Sequence, residues 1–232
     1  MAANDPDLDW DHDSNIYDIE WRIDAKGTML IANAFAGVYG SEAFGTVYRP
    51  IFGGQIGNNG TYGGLNYLDT QHEGADLYVW AAAGAPYVDF NGDVYGNTLT
   101  GAQVISGMQA YQTATIDPAI QSLAALVSAE NLQGGMVAYE GGQGANYDTQ
   151  GSLAAQTMPA MRGVTTSVLD AWSGQGGGTF FYYKLCSGDN WGLATDIGYD
   201  IDADPGYSSN PADSTEAEPK WGAIKQVATE GR

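Results

Sequence analysis

Hydrophobic positions along the chain fall into alternating helical and extended stretches. Residues 15–38 carry Ile16, Ile19, Ile23, Leu30 and Phe35 at roughly helical spacing, which predicts a helix. Ser14 stands where a cap belongs, and Gly27 weakens the middle. Residues 46–52, TVYRPIF, are β-branched and aromatic and end in GGQ, the pattern of a strand entering a turn. A loop rich in Gly and Asn, IGNNGTYGG, leads to a short helical piece around Leu65 to Leu68. Residues 76–83, DLYVWAAA, are almost continuously apolar, as in a parallel strand covered on both faces. A long helical region, 99–132, carries Ile116, Ile120, Leu123 and Val127 on one face, with a helix start at Asp117-Pro118. Gly134 and Gly135 end it. Residues 136–139, MVAY, form a third strand, 152–172 a helix with Leu153, Met161, Val164, Val168 and Leu169, and 179–186, TFFYYKLC, a fourth strand. An acidic loop, 196–218, precedes a closing helix, 219–229.

The order is a helix followed by four strand–helix units, which predicts an α/β fold with a parallel sheet and helices outside it. Residues 1–14 form an acidic arm and 15–232 the folded domain. Sites in such folds lie beyond the carboxyl ends of the strands. The loops to search are therefore GGQIGNNG, GAPYVDF, YEGGQGANYD and LCSGDNWG.

Composition narrows the function. The 232 residues are 44% hydrophobic, enough for a sizeable core. With 8 basic and 28 acidic residues the net charge is −20. Such a surface repels phosphate and anionic headgroups, which argues against nucleic-acid and membrane-surface binding and fits an acid-tolerant or salt-adapted protein. No stretch reaches the roughly 20 apolar residues of a membrane span, and the first residues, MAANDPDLDWDHD, lack the apolar core of a signal peptide. A single cysteine, Cys186, excludes an intrachain disulfide and reads as a core residue. His12 and His72 are too far apart for a metal motif. The aspartates at 5, 7, 9, 11 and 13 lack the loop of a calcium site and read as a solvated arm, and Asp200, Asp202 and Asp204 run into Pro205, which matches no calcium hand but leaves loose cation binding open. No cofactor is implied: dinucleotide, P-loop and GxSxG signatures are all missing.

Among single residues, Glu140 stands out. It ends an apolar strand, between Tyr139 and Gly141-Gly142, placed to act as a nucleophile or base, although a solvated loop glutamate reads the same way. Trp191, in SGDNWG, suits stacking against a sugar ring, or packing of its own loop. Tyr87 can donate its hydroxyl to Glu140 or a glycan, or sit in the core. Tyr139, Gln143, Gln55, Asn190 and Asp189 offer further sugar contacts, and Arg49 either braces a carboxylate or forms a structural ion pair.

The strings YRPIFGGQ, YVWAAAGAPY, AYEGGQ, FFYYKLCSGDNWGL and PKWGAI together resemble the carboxyl-terminal half of large bacterial (β/α)8 retaining glycosidase-like proteins, some described as cellulose-binding. The resemblance spans roughly residues 20–228. It implies a partial (β/α)8 barrel of about four βα units acting on polysaccharide, with Glu140 as nucleophile, Trp191 as sugar platform and Tyr87 steadying the nucleophile. It also implies an extracellular location if a parent chain carries a signal peptide. One departure matters. The acid/base glutamate of that group, usually preceded by Asn, has no counterpart: Glu20 and Glu42 lie in or beside the first helix. Retaining hydrolysis needs two carboxyl groups roughly 5–5.5 Å apart, and four strands cannot close an eight-stranded barrel. The expectations that follow are a second half-barrel, a homodimer, or a fragment inactive alone. A non-catalytic carbohydrate-binding module and a barrel-completing assembly module are the alternatives.

Overall fold

The computed structural model describes residues 7–12, 15–90, 99–144, 150–186, 192–194 and 219–231. Contacts group the chain into two compact units. Unit 1 is Met1–Ala85, Gln121–Tyr139 and Gly176–Thr179; unit 2 is Pro86–Ile120, Glu140–Gln175 and Phe180–Arg232. The fold is mixed α/β with small parallel sheets, and none of the described strands closes a barrel.

Unit 1 opens with helix α1, Ile16–Tyr39. Asn15 caps it, its side chain accepting from the Tyr17 N–H at 3.2 Å, and Gly40 ends it at φ +86°. The cap is therefore one residue later than Ser14, which lies outside the described residues. The inward face is Arg22, Ala25, Met29 and Ala32, while Ile16, Ile23, Leu30 and Phe35 point outward. Small side chains face inward because helix α2, Gly63–Gln71, passes close by: a Cβ on Gly64 would meet the Trp21 carbonyl at 2.5 Å and the Ala25 methyl at 2.8 Å.

Strands β1 (Ile51–Gly53), β2 (Ala81–Gly84) and β4 (Met136–Ala138) form a parallel sheet in the order β1-β2-β4. Ile51 pairs with Ala81 and Ala82 with Met136. The first three expected strands are thus parallel, as expected, and shorter than the hydrophobic runs suggested. Residues 44–48 turn at Gly45 (φ +75°), and 75–77 form a 3-10 turn, so both runs become extended only at their ends. Beyond β4, the start of the predicted fourth strand lies alongside it: Gly178 N–H donates to Met136 O and Ala138 N–H to Thr179 O, each at 2.9 Å.

Within the acidic arm, the described residues 7–12 are docked, not solvated. Arg22 forms an ion pair with Asp11 and donates to Leu8 O at 2.9 Å, with Leu8 buried. Asp7 accepts from Lys26 Nζ at 2.8 Å and from the Tyr67 hydroxyl at 2.6 Å. Its carboxyl lies below the ordinary range: burial pushes it up, but hydrogen bonds from Lys26 and Tyr67 outweigh that.

Unit 2 holds helices α3 (Gly101–Tyr111), α5 (Gln150–Gln156), α6 (Ala160–Gly174) and α7 (Pro219–Glu230). A π-helical turn, Gln112–Ile116, joins α3 to α4 (Asp117–Ala129), so the long predicted helix is one run with a widened turn. Pro118 explains the widening. It has no N–H to donate and its ring crowds the carbonyl four residues back. Pro159 likewise separates α5 from α6. Two short parallel pairs complete the unit: β3 (Tyr87–Val88) with β5 (Gly142–Gln143), and β6 (Lys184–Cys186) with β7 (Gly192–Ala194). Among the described residues no helix is long and apolar enough to cross a membrane.

Candidate functional site

In unit 1, the carboxyl ends of β1 and β2 are filled by Tyr62. Its hydroxyl donates to Ala83 O at 3.1 Å, and its ring lies where a Cβ on Gly54 would stand, 2.6 Å away. Burial, with Tyr139 nearby, raises this hydroxyl well above its usual pKa, so it stays protonated as a donor. The glycines after the first two strands thus admit a tyrosine of the protein itself. Tyr139 is exposed at the end of β4, its N–H bonded to Gly84 O. Gln55 is exposed too; its backbone N–H donates to the buried Thr61 hydroxyl, which closes the IGNNGTYGG loop. Among the described residues Arg49 braces no carboxylate. It stacks over Trp80 at 4.9 Å and donates to Gly45 O, at the amino end of β1.

Unit 2 holds Glu140, Tyr87 and Gln143. Glu140, partly buried, leads through Gly141 into β5. Tyr87 pairs with Gly142, and Tyr183 N–H donates to Gly141 O on the other side. The rings of Tyr87 and Tyr183 meet edge to face with centroids 5.9 Å apart. Strands two places apart lie about 9.6 Å from one another, so the rings reach across a strand bearing glycines. Gly142 sits at φ +127°, and a Cβ there would strike the Tyr182 ring at 2.6 Å. Gly142 thereby serves tyrosine packing, while Gly141 makes room for Phe180 and Pro86. Gln143 is 1% exposed, and its backbone N–H donates to the Tyr182 hydroxyl. Burial pushes that hydroxyl up to about 12, partly offset by the Gln143 backbone N–H. Gln143 is thus part of the wall behind the tyrosines, while Tyr183 and Phe181 are exposed.

Asp89, in GAPYVDF, is a residue the sequence reading passed over. It directly follows β3, and burial raises its carboxyl pKa, partly offset by the Phe90 N–H at 2.7 Å. Tyr111 lies near enough for Asp89 to raise its hydroxyl further, after burial. The signal was available: an acid immediately after an apolar strand. Asp89 is no second carboxyl for Glu140, however. Val88 pairs with Gln143, so Asp89 stands level with Gly144, four residues beyond Glu140. At about 3.3 Å per residue that is about 13 Å, against roughly 5–5.5 Å for a retaining pair.

Trp191, Asn190 and Asp189 lie outside the described residues, as do Asp5, Asp13, Asp200, Asp202 and Asp204. Among the described residues no group of three or more His, Cys, Asp or Glu side chains is placed to hold a metal ion. No protein-family model, curated protein or solved structure matches the chain.

Proposed function

We propose that the chain is the carboxyl-terminal half of a (β/α)8-type retaining glycosidase, about four βα units, acting on polysaccharide with Glu140 as nucleophile. The observation that carries this is the place of Glu140, just beyond a parallel strand and beside backbone bare of side chains. An ionised carboxylate there attacks the anomeric carbon and forms a glycosyl ester, and water then releases the sugar. The leaving oxygen must take a proton from a second carboxyl group. Asp89 is too far along the strand to give it, so that group comes from a completing half-barrel or a second copy, and the chain alone turns over natural glycan poorly or not at all.

A leaving group that departs without protonation removes the need for the missing acid. The test is incubation with a panel of 2-fluoro glycosyl fluorides, read by intact mass and peptide mapping. One sugar should add its glycosyl mass at Glu140, and Glu140→Gln should add none. No adduct across the panel, or an adduct elsewhere, rejects the assignment. Exposed Tyr183 and Phe181 favour a second reading, a non-catalytic carbohydrate-binding module. Glycan binding that survives Glu140→Gln and fails in Tyr183→Ala would select it.

A further inference from the structure

Strand β1 is an open edge of the β1-β2-β4 sheet. In an extended strand, successive residues turn their N–H and C=O groups to opposite edges. Pro50 O accepts from Trp80 N–H at 2.8 Å and Gly54 N–H donates to Ala83 O at 2.9 Å, so both groups point to β2. Phe52 lies between them in the same phase, and Ile51 and Gly53 turn the other way. Two N–H and two C=O groups therefore face outward, and none of the described residues bonds them. Both residues are exposed, Ile51 to 43%. Proteins guard such edges with proline or with charges. Pro50 is no guard here, because the N–H it lacks belongs to the β2 side.

The helices define what this edge can receive. Helix α2 is the crossover between the parallel strands β1 and β2. Helix α1 packs beside α2, closely enough that a Cβ on Gly64 would meet Ala25. Packed helices stand about 8–10 Å apart and strands about 4.8 Å, so α1 overhangs the position next to β1. That is the place of a crossover helix whose own strand lies outside β1 and parallel to it. Residues 7–12, which precede α1, dock on Arg22, Lys26 and Tyr67 instead. Between α1 and β1 runs a groove of about 470 Å3, lined by Ile23, Gly27, Ile31 and Phe52. A Cβ on Gly27 or Gly53 meets nothing within 4 Å, so there is room for incoming side chains. Asp24 is the one charge in the lining, Glu20 stands a helical turn before it, and the whole chain carries −20.

Unbonded ladder groups select an extended backbone. The lining selects apolar side chains at alternate positions, and the carboxylates select basic flanks. We propose that the outer edge of β1, beneath α1, is the docking site for a parallel strand of a different polypeptide, apolar at alternate positions and basic at its ends. The incoming residue opposite Phe52 donates its N–H to Ile51 O and accepts from Gly53 N–H; the residues two before and two after it bond the remaining groups. A second copy using the same edge would arrive antiparallel, because a twofold axis reverses the strand, whereas every described strand pair is parallel. This does not rest on the glycosidase reading.

The test uses the full chain and a panel of end-blocked peptides of alternating valine and threonine, flanked by lysines or by glutamates. In the free chain the Ile51 and Gly53 amides should exchange hydrogen fast and the Phe52 amide slowly. Lysine-flanked peptides should bind and slow both fast amides; glutamate-flanked ones should bind at least about tenfold more weakly at low salt. A spin label on the peptide's amino end should broaden signals near Arg49 more than those near Gly54. Gly53→Pro removes one outward N–H without touching the β2 ladder and should weaken binding at least about tenfold, while Gly53→Ala keeps that N–H and should bind like the native chain. Ile51 and Gly53 amides as protected as Phe52 in the free chain overturn the proposal. So do binding by no peptide, equal binding by the two flanking sets, binding indifferent to Gly53→Pro, or the reversed labelling pattern. Self-association that Gly53→Pro abolishes assigns the edge to a second copy and overturns it too.

Discussion

Glu130, the residue after α4, holds its carboxyl against that of Asp69, with Asp76 near. Burial, the hydrogen bond to Asp69 and the two neighbouring charges raise it to about 7 from an ordinary 4.5. The pair keeps one proton between two oxygens, so the folded chain binds more protons than the unfolded one across that window. A raised carboxyl pKa gives stability that is full below 4.5 and lost as pH rises through about 7. Asp7 acts in the opposite direction: its lowered pKa gives stability present above the ordinary carboxylate value and lost as pH falls through the folded one. The chain is therefore expected to resist urea best in mildly acid solution. Urea midpoints from pH 4 to 8 should fall towards neutrality in the native chain, and Glu130→Gln should flatten that fall. Equal slopes in both would remove Glu130 as the cause.

At the level of the element, the short β5 strand depends on what it lacks. Gly142 combines a left-handed φ with the Tyr182 ring at 2.6 Å from its missing Cβ. Gly142→Ala should thus cost about 2–4 kcal/mol in unfolding free energy, from backbone strain and overpacking together. Gly163→Ala, on open helix surface, is the comparison and should be neutral or mildly stabilising. The same elements show how much was legible in the chain. Alternating apolar runs placed α1, α2, α4, α7 and the parallel order of β1, β2 and β4, because burial of whole segments leaves a periodic mark. Strand ends were missed because Thr46–Pro50 is as β-branched and aromatic as a strand, yet Gly45 turns it into a loop. The burying face of α1 was misleading because the larger side chains lie on the outside and the small ones inside. The position of Glu140, just after an apolar strand, was legible; its role as nucleophile is the proposal above. The place of Asp89 after Tyr87-Val88 was legible, whereas the burial that raises its carboxyl has no signature in composition. The Tyr87–Tyr183 contact joins residues almost a hundred positions apart, and no local pattern announces it.

Across the whole molecule, charge is distributed unevenly between surface and interior. Of the eight Lys and Arg residues, Arg22, Arg162 and Lys220 are buried and Lys26 is bonded to Asp7. Among the described residues, therefore, few cations are left outside to offset the acidic side chains, and a net charge of −20 opposes the approach of anions. Two of those cations hold the arm to unit 1, where Asp7 meets Tyr67 sixty positions later in the sequence. That separation has a kinetic meaning. A helix such as α1 forms from neighbours, and Arg22 and Lys26 on it can meet the arm early, whereas the Asp7–Tyr67 bond has nothing to close on until α2 is in place and is expected to form after the rate-limiting step. An interaction of that kind works as a buckle: it leaves the speed of folding alone and slows escape from the folded state. In a chevron experiment, Asp7→Asn should steepen neither limb and leave refolding rates unchanged, while unfolding becomes several-fold faster. Slower refolding by the same factor would instead put the arm in the nucleus, and a contact spanning sixty positions would then be among the first to form.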